Sequence, residues 1–158
     1  MYRLTDAFPY LLNRVGVRMG ELFSRRLEAY GVTLPMYRVL VALWERGDRR
    51  LGELSAFTSI ELSTLSRLVG TLCRRGLVSR RRLDTNGRVV EINLTAEGRR
   101  LAQQLIPMAV FHEDVGLRGF EPGEVVELKR NLARVYENLR TLDGELPEPA
   151  RPGWDAPA

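Results

Sequence analysis

Seven arginines fall between Glu61 and Arg88: Arg67, Arg74, Arg75, Arg80, Arg81, Arg82 and Arg88. The same stretch holds two acids, Glu61 and Asp84, so it nets +5, whereas the rest of the chain carries 17 basic and 18 acidic side chains and nets −1. The whole positive excess of a chain of net charge +4 therefore lies in 28 residues. A field focused in this way attracts polyanions. Lys129 is the only lysine. The basic chemistry is thus guanidinium chemistry, whose planar fork suits phosphate and guanine edges better than an ammonium point charge. Just ahead of the first of these arginines stand Ser63, Thr64 and Ser66, small hydroxyls that permit close approach to base edges and phosphates.

Other chemistries lack their parts. The sequence has no glycine-rich phosphate loop, no GxSxG elbow and no metal triad, and its carboxylates are scattered along helix surfaces. We therefore expect no enzyme and no cofactor. One cysteine, Cys73, and one histidine, His112, far apart in sequence, do not make a metal motif. His112 reads as structural or solvent-facing. Arg74 and Arg75 could favour a thiolate at Cys73, but a simply buried, inert thiol is the preferred reading.

The elements that must position these groups follow from periodicity. Phe8, Leu12, Val15, Met19, Leu22, Phe23, Leu27 and Tyr30 recur in steps that make one helical stripe, and Gly31 stops it. Thr33 caps a second helix, with Pro35 early in its first turn and Val39, Leu40, Leu43 and Trp44 on its buried side. A short helix covers about Leu51 to Phe57, Thr58-Ser59 makes a turn, and a fourth helix runs from about Leu62 to Arg75, with Glu61 near its cap. Leu65, Leu68, Val69 and Leu72 form its inner face. The period then changes. Leu77 to Arg81 and Val89 to Leu94 read as strands joined by the turn Asp84-Thr85-Asn86-Gly87, which gives a basic hairpin. Thr95 caps a fifth helix, bent by Pro107, that extends to about Val115. The last helix, about Pro122 to Leu142, carries the near-heptad stripe Val125, Leu128, Leu132, Val135, Leu139 and Leu142, which suits packing against another helix.

A length of 158 residues, 44% hydrophobic and 28% charged, suits one folded domain with an apolar core. No apolar run could span a bilayer, no secretory signal is evident at the N-terminus, and a lone cysteine cannot form an internal disulfide. A cytoplasmic protein with no membrane partner is the expectation.

The order helix, short helix, turn, helix, hairpin fits duplex DNA. A helix enters the major groove, and the first residues of the recognition helix meet the bases. Ser63, Thr64, Ser66 and Arg67 then face the groove, Arg67 reaching to a guanine. Arg74 and Arg75 serve as phosphate contacts, Arg80, Arg81 and Arg82 lie alongside on the hairpin, and Arg88 at its tip enters a narrow minor groove.

The ordered set Leu54-Ser55-Ala56-Phe57, Ile60, Ser63-Thr64-Leu65-Ser66-Arg67-Leu68-Val69, Leu72, Arg75-Gly76-Leu77-Val78, Arg88 and Leu94-Thr95-Ala96-Glu97-Gly98, preceded by Val32-Thr33-Leu34-Pro35 and Leu40, resembles the MarR family of bacterial regulators over about residues 8 to 143. The resemblance implies a mainly α fold with a small β-hairpin wing: a winged helix-turn-helix region plus a helical dimerisation region. On that plan residues 1–7 form an arm, 8–30 a dimerisation helix, 31–95 the DNA-binding region, 96–143 further dimerisation helices and 144–158 a disordered, proline-rich tail. It also implies a homodimer on a palindromic operator and a repressor released by a small, often phenolic, effector. One departure stands out. The family's wing usually has acids five and two positions before the tip arginine. Leu83 and Asn86 stand there instead, with Asp84 displaced by one.

For an effector we single out Tyr10, Arg14, Met19, Tyr37 and Trp44, an aromatic set with one arginine that would suit an aromatic carboxylate. Plain core or interface packing is the competing reading of the same residues. A different class of function also fits the composition: a winged-helix interaction module whose arginine-rich hairpin binds an acidic protein partner.

Overall fold

Each stop and cap in the sequence sets a boundary in the computed structural model, which describes residues 3–82 and 90–141. Helix α1, Phe8–Leu27, has Pro9 in its first turn, follows a 3-10 turn at Leu4–Asp6, and passes into a second 3-10 turn at Glu28–Tyr30. The helix expected to reach Tyr30 thus tightens over its last three residues, and Gly31 ends it at φ +61°, a conformation that costs glycine nothing. Thr33 is extended, and its hydroxyl accepts from the Met36 N–H at 3.4 Å, opening α2, Leu34–Arg46. Two residues, Arg49–Arg50, form β1; a strand this short leaves no alternation to read in a sequence. Helix α3, Leu51–Thr58, ends at Ser59, the one non-glycine residue with positive φ among those described. Helix α4, Leu62–Arg74, follows at once.

Gly76, at φ +68°, turns the chain from α4 into β2, Val78–Arg82, which pairs with β3, Val90–Leu94. The sheet order is β1-β3-β2 with both pairings antiparallel. The expected turn Asp84 to Gly87, the tip Arg88 and the proline-rich tail lie outside the described residues. Helix α5, Ala96–Gly116, continues through Pro107. Its first turn is tied to the α4–β2 turn: the Thr95 hydroxyl donates to the Gly76 carbonyl at 2.6 Å and accepts from the Gly98 N–H at 3.0 Å. Gly98 is required there, because a Cβ would stand 1.9 Å from the Leu77 carbonyl oxygen. Helix α6, Pro122–Arg140, opens where the Glu124 carboxylate accepts the Glu121 N–H at 2.9 Å.

The chain divides into two compact units, Met1–Gly116 and Leu117–Ala158. The main core of the first gathers Val39, Leu40 and Leu43 of α2, Leu54 of α3, Leu65, Val69 and Leu72 of α4, and Leu77, Val78 and Ile92 around the sheet. A second cluster joins Phe23, Leu27 and Val32 to Leu105 of α5. Each fully buried leucine contributes about 1.5–3 kcal/mol of transfer free energy. The expected inner faces of α2 and α4 are thus buried, with Trp44 and Leu68 half-buried at their margins. The stripe of α1 divides instead: Phe23 and Leu27 are buried, whereas Phe8, Leu12, Val15 and Met19 stay exposed. Helix α6 buries none of its residues, and Leu128, Leu132 and Leu139 are open to solvent.

Candidate nucleic-acid interface

Helix α4 separates two chemistries around one axis. Leu65, Val69 and Leu72 recur at steps of four and three and are fully buried. Ser63, Thr64, Ser66 and Arg67 occupy the opposite side and are all exposed. Packing of the leucines therefore fixes which side chains α4 presents outward.

Its first turn is held by Glu61. The carboxylate accepts the Ser63 N–H at 2.9 Å, the Thr64 N–H at 3.0 Å and the Ser63 hydroxyl. The Ser63 hydroxyl first, then these N–H groups, hold the carboxyl at about 2, against an ordinary 4.5. An acid here also complements the positive end of the helix dipole. Among the described residues the Arg67 guanidinium has no partner. Its carbonyl accepts the Thr71 hydroxyl at 3.2 Å, and Thr71 in turn receives Arg74 at 2.9 Å. Arg75 reaches away from α4, to the carbonyls of Gly31 and Tyr30 at 2.6 and 3.2 Å.

Strand register sorts the hairpin arginines. Arg80 lies opposite Ile92 and Arg82 opposite Val90, on the face that carries the buried Val78. Arg81 lies opposite Glu91 on the other face, and its guanidinium meets Glu91 at 2.9 Å and Asp48 at 3.4 Å. The hydrogen bond and charge of Glu91 raise the Arg81 pKa. Arg80, Arg81 and Arg82 are exposed, with no partner described for Arg80 or Arg82. Cys73 is half-buried.

The five residues singled out for an effector do not share one cavity. Tyr10, half-buried near the start of α1, lies under the Arg14 guanidinium, which is 5.6 Å from the ring centre. Trp44 lies under Arg99, also at 5.6 Å. Met19 and Tyr37 do line a common cavity of about 300 Å³ between α1, α2 and α5, together with Phe23, Arg38, His112 and Glu113. Phe23 meets Tyr37 edge-on at 4.8 Å and His112 at 5.4 Å. Burial, then the Glu113 charge, raises the Tyr37 pKa. The Nε2 of His112 is buried without a hydrogen-bond partner, which marks this histidine as a polar group set in an apolar wall. The sequence reading has His112 as structural or solvent-facing and leaves Arg38 out. The steps Leu105, Ala109, His112 would have put that histidine on the inner face of α5.

Comparison with known proteins fits this geometry. Residues 21–105 match the family described as transcriptional regulator SarA/Rot. The chain is similar to the HTH-type transcriptional repressor IacR of Pseudomonas putida, 29% identical over 138 residues that cover 87% of this chain and 83% of the relative. Among solved structures it is similar to a MarR-family transcriptional regulator from Silicibacter pomeroyi, with a TM-score of 0.80 and 29% identity over 91% of this chain and 96% of that one. It is also similar to BpsR of Bordetella bronchiseptica, whose DNA binding is regulated by 6-hydroxynicotinic acid, with a TM-score of 0.74 and 25% identity over 81% and 97% of the two chains.

Proposed function

The chain belongs to the MarR family of winged helix-turn-helix transcriptional regulators, and we propose that it is a cytoplasmic homodimeric repressor that leaves a palindromic operator when a small aromatic acid binds. The observation that carries this reading is the outward face of α4: Ser63, Thr64, Ser66 and Arg67 stand exposed on a capped helix whose other side is locked into the core. In this reading that face enters the major groove, Arg67 reads a guanine edge, and Arg74, Arg80 and Arg82 contact phosphates. Arg81, engaged with Glu91 and Asp48, approaches the backbone at the flank, and Arg88 enters the minor groove. The bare apolar half of α1 and the stripe of α6 supply the contact between subunits, which sets the two recognition helices about one helical turn apart.

The effector site is the cavity of about 300 Å³ lined by Met19, Phe23, Tyr37, Arg38, His112 and Glu113, a volume at the lower end of the range for ligand pockets. Aromatic walls accept a ring, Arg38 balances a carboxylate, and the unpartnered His112 Nε2 bonds a ring substituent. A ligand that fits better in the subunit arrangement unsuited to DNA shifts the population toward it.

Titration with a random duplex over a salt series tests the reading. Each phosphate neutralised contributes about −0.9 to the slope of log affinity against log salt, so wild-type binding falls steeply and an Arg80→Ala/Arg82→Ala variant gives a shallower slope. Affinity indifferent to salt would refute DNA binding and favour an acidic protein partner. A rise in melting temperature with 6-hydroxynicotinate, abolished by His112→Phe, supports the effector site. An unchanged melting temperature across a panel of aromatic acids argues against it.

A further inference from the structure

Arg75 closes α4, yet its guanidinium spans to another part of the fold. Nη1 donates to the Gly31 carbonyl at 2.6 Å and approaches the Met36 sulfur at 3.6 Å, while Nη2 donates to the Tyr30 carbonyl at 3.2 Å. Tyr30 and Gly31 finish the 3-10 turn that ends α1. Their carbonyls are orphan acceptors at the negative end of a helix, and no backbone N–H among the described residues takes them from outside that turn. A planar fork brings two nitrogens to two adjacent carbonyls in one fixed geometry, whereas a lysine offers a single nitrogen on a shorter side chain. A Cβ on Gly31 would stand 3.5 Å from Nη2, an ordinary contact, so glycine serves the left-handed turn there and not the space around the fork. The contact bridges 44 residues of sequence and touches α1's end, α2's first turn and α4's last turn together.

We propose that Arg75 is a positioning residue rather than a phosphate contact. It fixes the C-terminal end of the DNA-reading helix to the end of the helix whose other half carries the subunit contact. The angle at which α4 meets the groove is thereby set relative to the dimer. This rests on the DNA-binding dimer described above. Its neighbour Arg74, on the outer side of α4 and bonded only within its own helix, is the better phosphate contact of the two.

The test compares wild type, Arg75→Gln and Arg75→Lys on two duplexes: one selected from a random library by the wild-type protein, and one random duplex of equal length, each over a salt series. Amide exchange at Gly31 and Val32 is followed without DNA. We expect Arg75→Gln to weaken the selected duplex by about tenfold, the scale of losing hydrogen bonds to a charged group. The random duplex and the salt slope stay unchanged, and both amides exchange faster. Arg75→Lys recovers little, because one nitrogen on a shorter side chain does not reproduce the reach and fixed geometry of the two-nitrogen fork. Equal weakening on both duplexes, with a slope shallower by about one per subunit and rescue by lysine, would establish a phosphate contact and overturn the proposal. So would three proteins with the same affinities and the same exchange rates. A wild-type protein with no salt-dependent affinity for either duplex would defeat the DNA reading itself, a result separate from any difference among the variants.

Discussion

The first and fourth helices both carry an apolar stripe, and the fold treats the two in opposite ways. Leu65, Val69 and Leu72 of α4 are 0% exposed, whereas Phe8, Leu12, Val15 and Met19 of α1 are 40 to 57% exposed. The stripe of α4 is covered by the chain's own α2, α3 and sheet. The stripe of α1 is covered only at its C-terminal end, where Phe23 and Leu27 meet Val32 and Leu105. Periodicity states which face must leave water; it does not say which surface takes it in. A stripe buried by its own chain holds up the fold, and a stripe left bare calls for a partner.

Substitutions of similar position on the two stripes should therefore part company. Leu65→Ala removes a fully buried side chain and is expected to cost about 2–5 kcal/mol of folding stability, read from urea denaturation at fixed protein concentration. Val15→Asp places a charge on the bare stripe. For the proposed homodimer it should keep the helical circular dichroism while sedimentation shifts from dimer to monomer and operator binding fails. A Val15→Asp protein that still sediments as a dimer would remove α1's N-terminal half from the interface and erase the contrast.

The two faces of α4 should likewise answer to different measurements. Arg67→Ala touches no core contact and should leave the urea midpoint almost unmoved. On the operator it should cost about 1–3 kcal/mol and relax discrimination at one base position, seen by titrating single-base variants of the site. Uniform weakening on every variant would instead make Arg67 a phosphate contact.

Much of this arrangement was open to reading in the sequence, for identifiable reasons. Local signals carry the element boundaries: Thr33 as a cap, Gly31 at positive φ, and the leucine spacing of α4. The outward set Ser63, Thr64, Ser66 and Arg67 followed from that spacing, since one face fixes the other. What escaped was whatever depends on pairing across the chain. Strand β1 is two residues long and exists only because β3 lies beside it. The partners of Arg81 required the register that sets it opposite Glu91, plus the approach of Asp48. Arg75 looks like another surface arginine until the end of α1 is folded against it. The effector set rests on residue type, and the fold places Met19 and Tyr37 with His112 along one cavity, Tyr37 with Trp44 along another, and Tyr10 along neither.

The smallest expected effect comes from Glu61, which bears on the outward face by holding the first turn of α4. Its folded pKa, about 2, lies below the ordinary 4.5 because the Ser63 hydroxyl and the Ser63 and Thr64 N–H groups bond the ionised form. A lowered folded value means that the ionised group favours the native state. That contribution is complete above about 4.5 and drains away as the pH falls toward 2. In Glu61→Gln the amide oxygen can still accept a hydrogen bond but carries no charge, so the variant lacks the pH-dependent part. Urea midpoints of the two proteins should differ at pH 7 and converge between pH 4.5 and 2. The gap should be small, because the carboxylate is fully exposed and solvent screens it. A difference of the same size at pH 2 would mean that the fit of the cap, and not its charge, steadies the start of the helix.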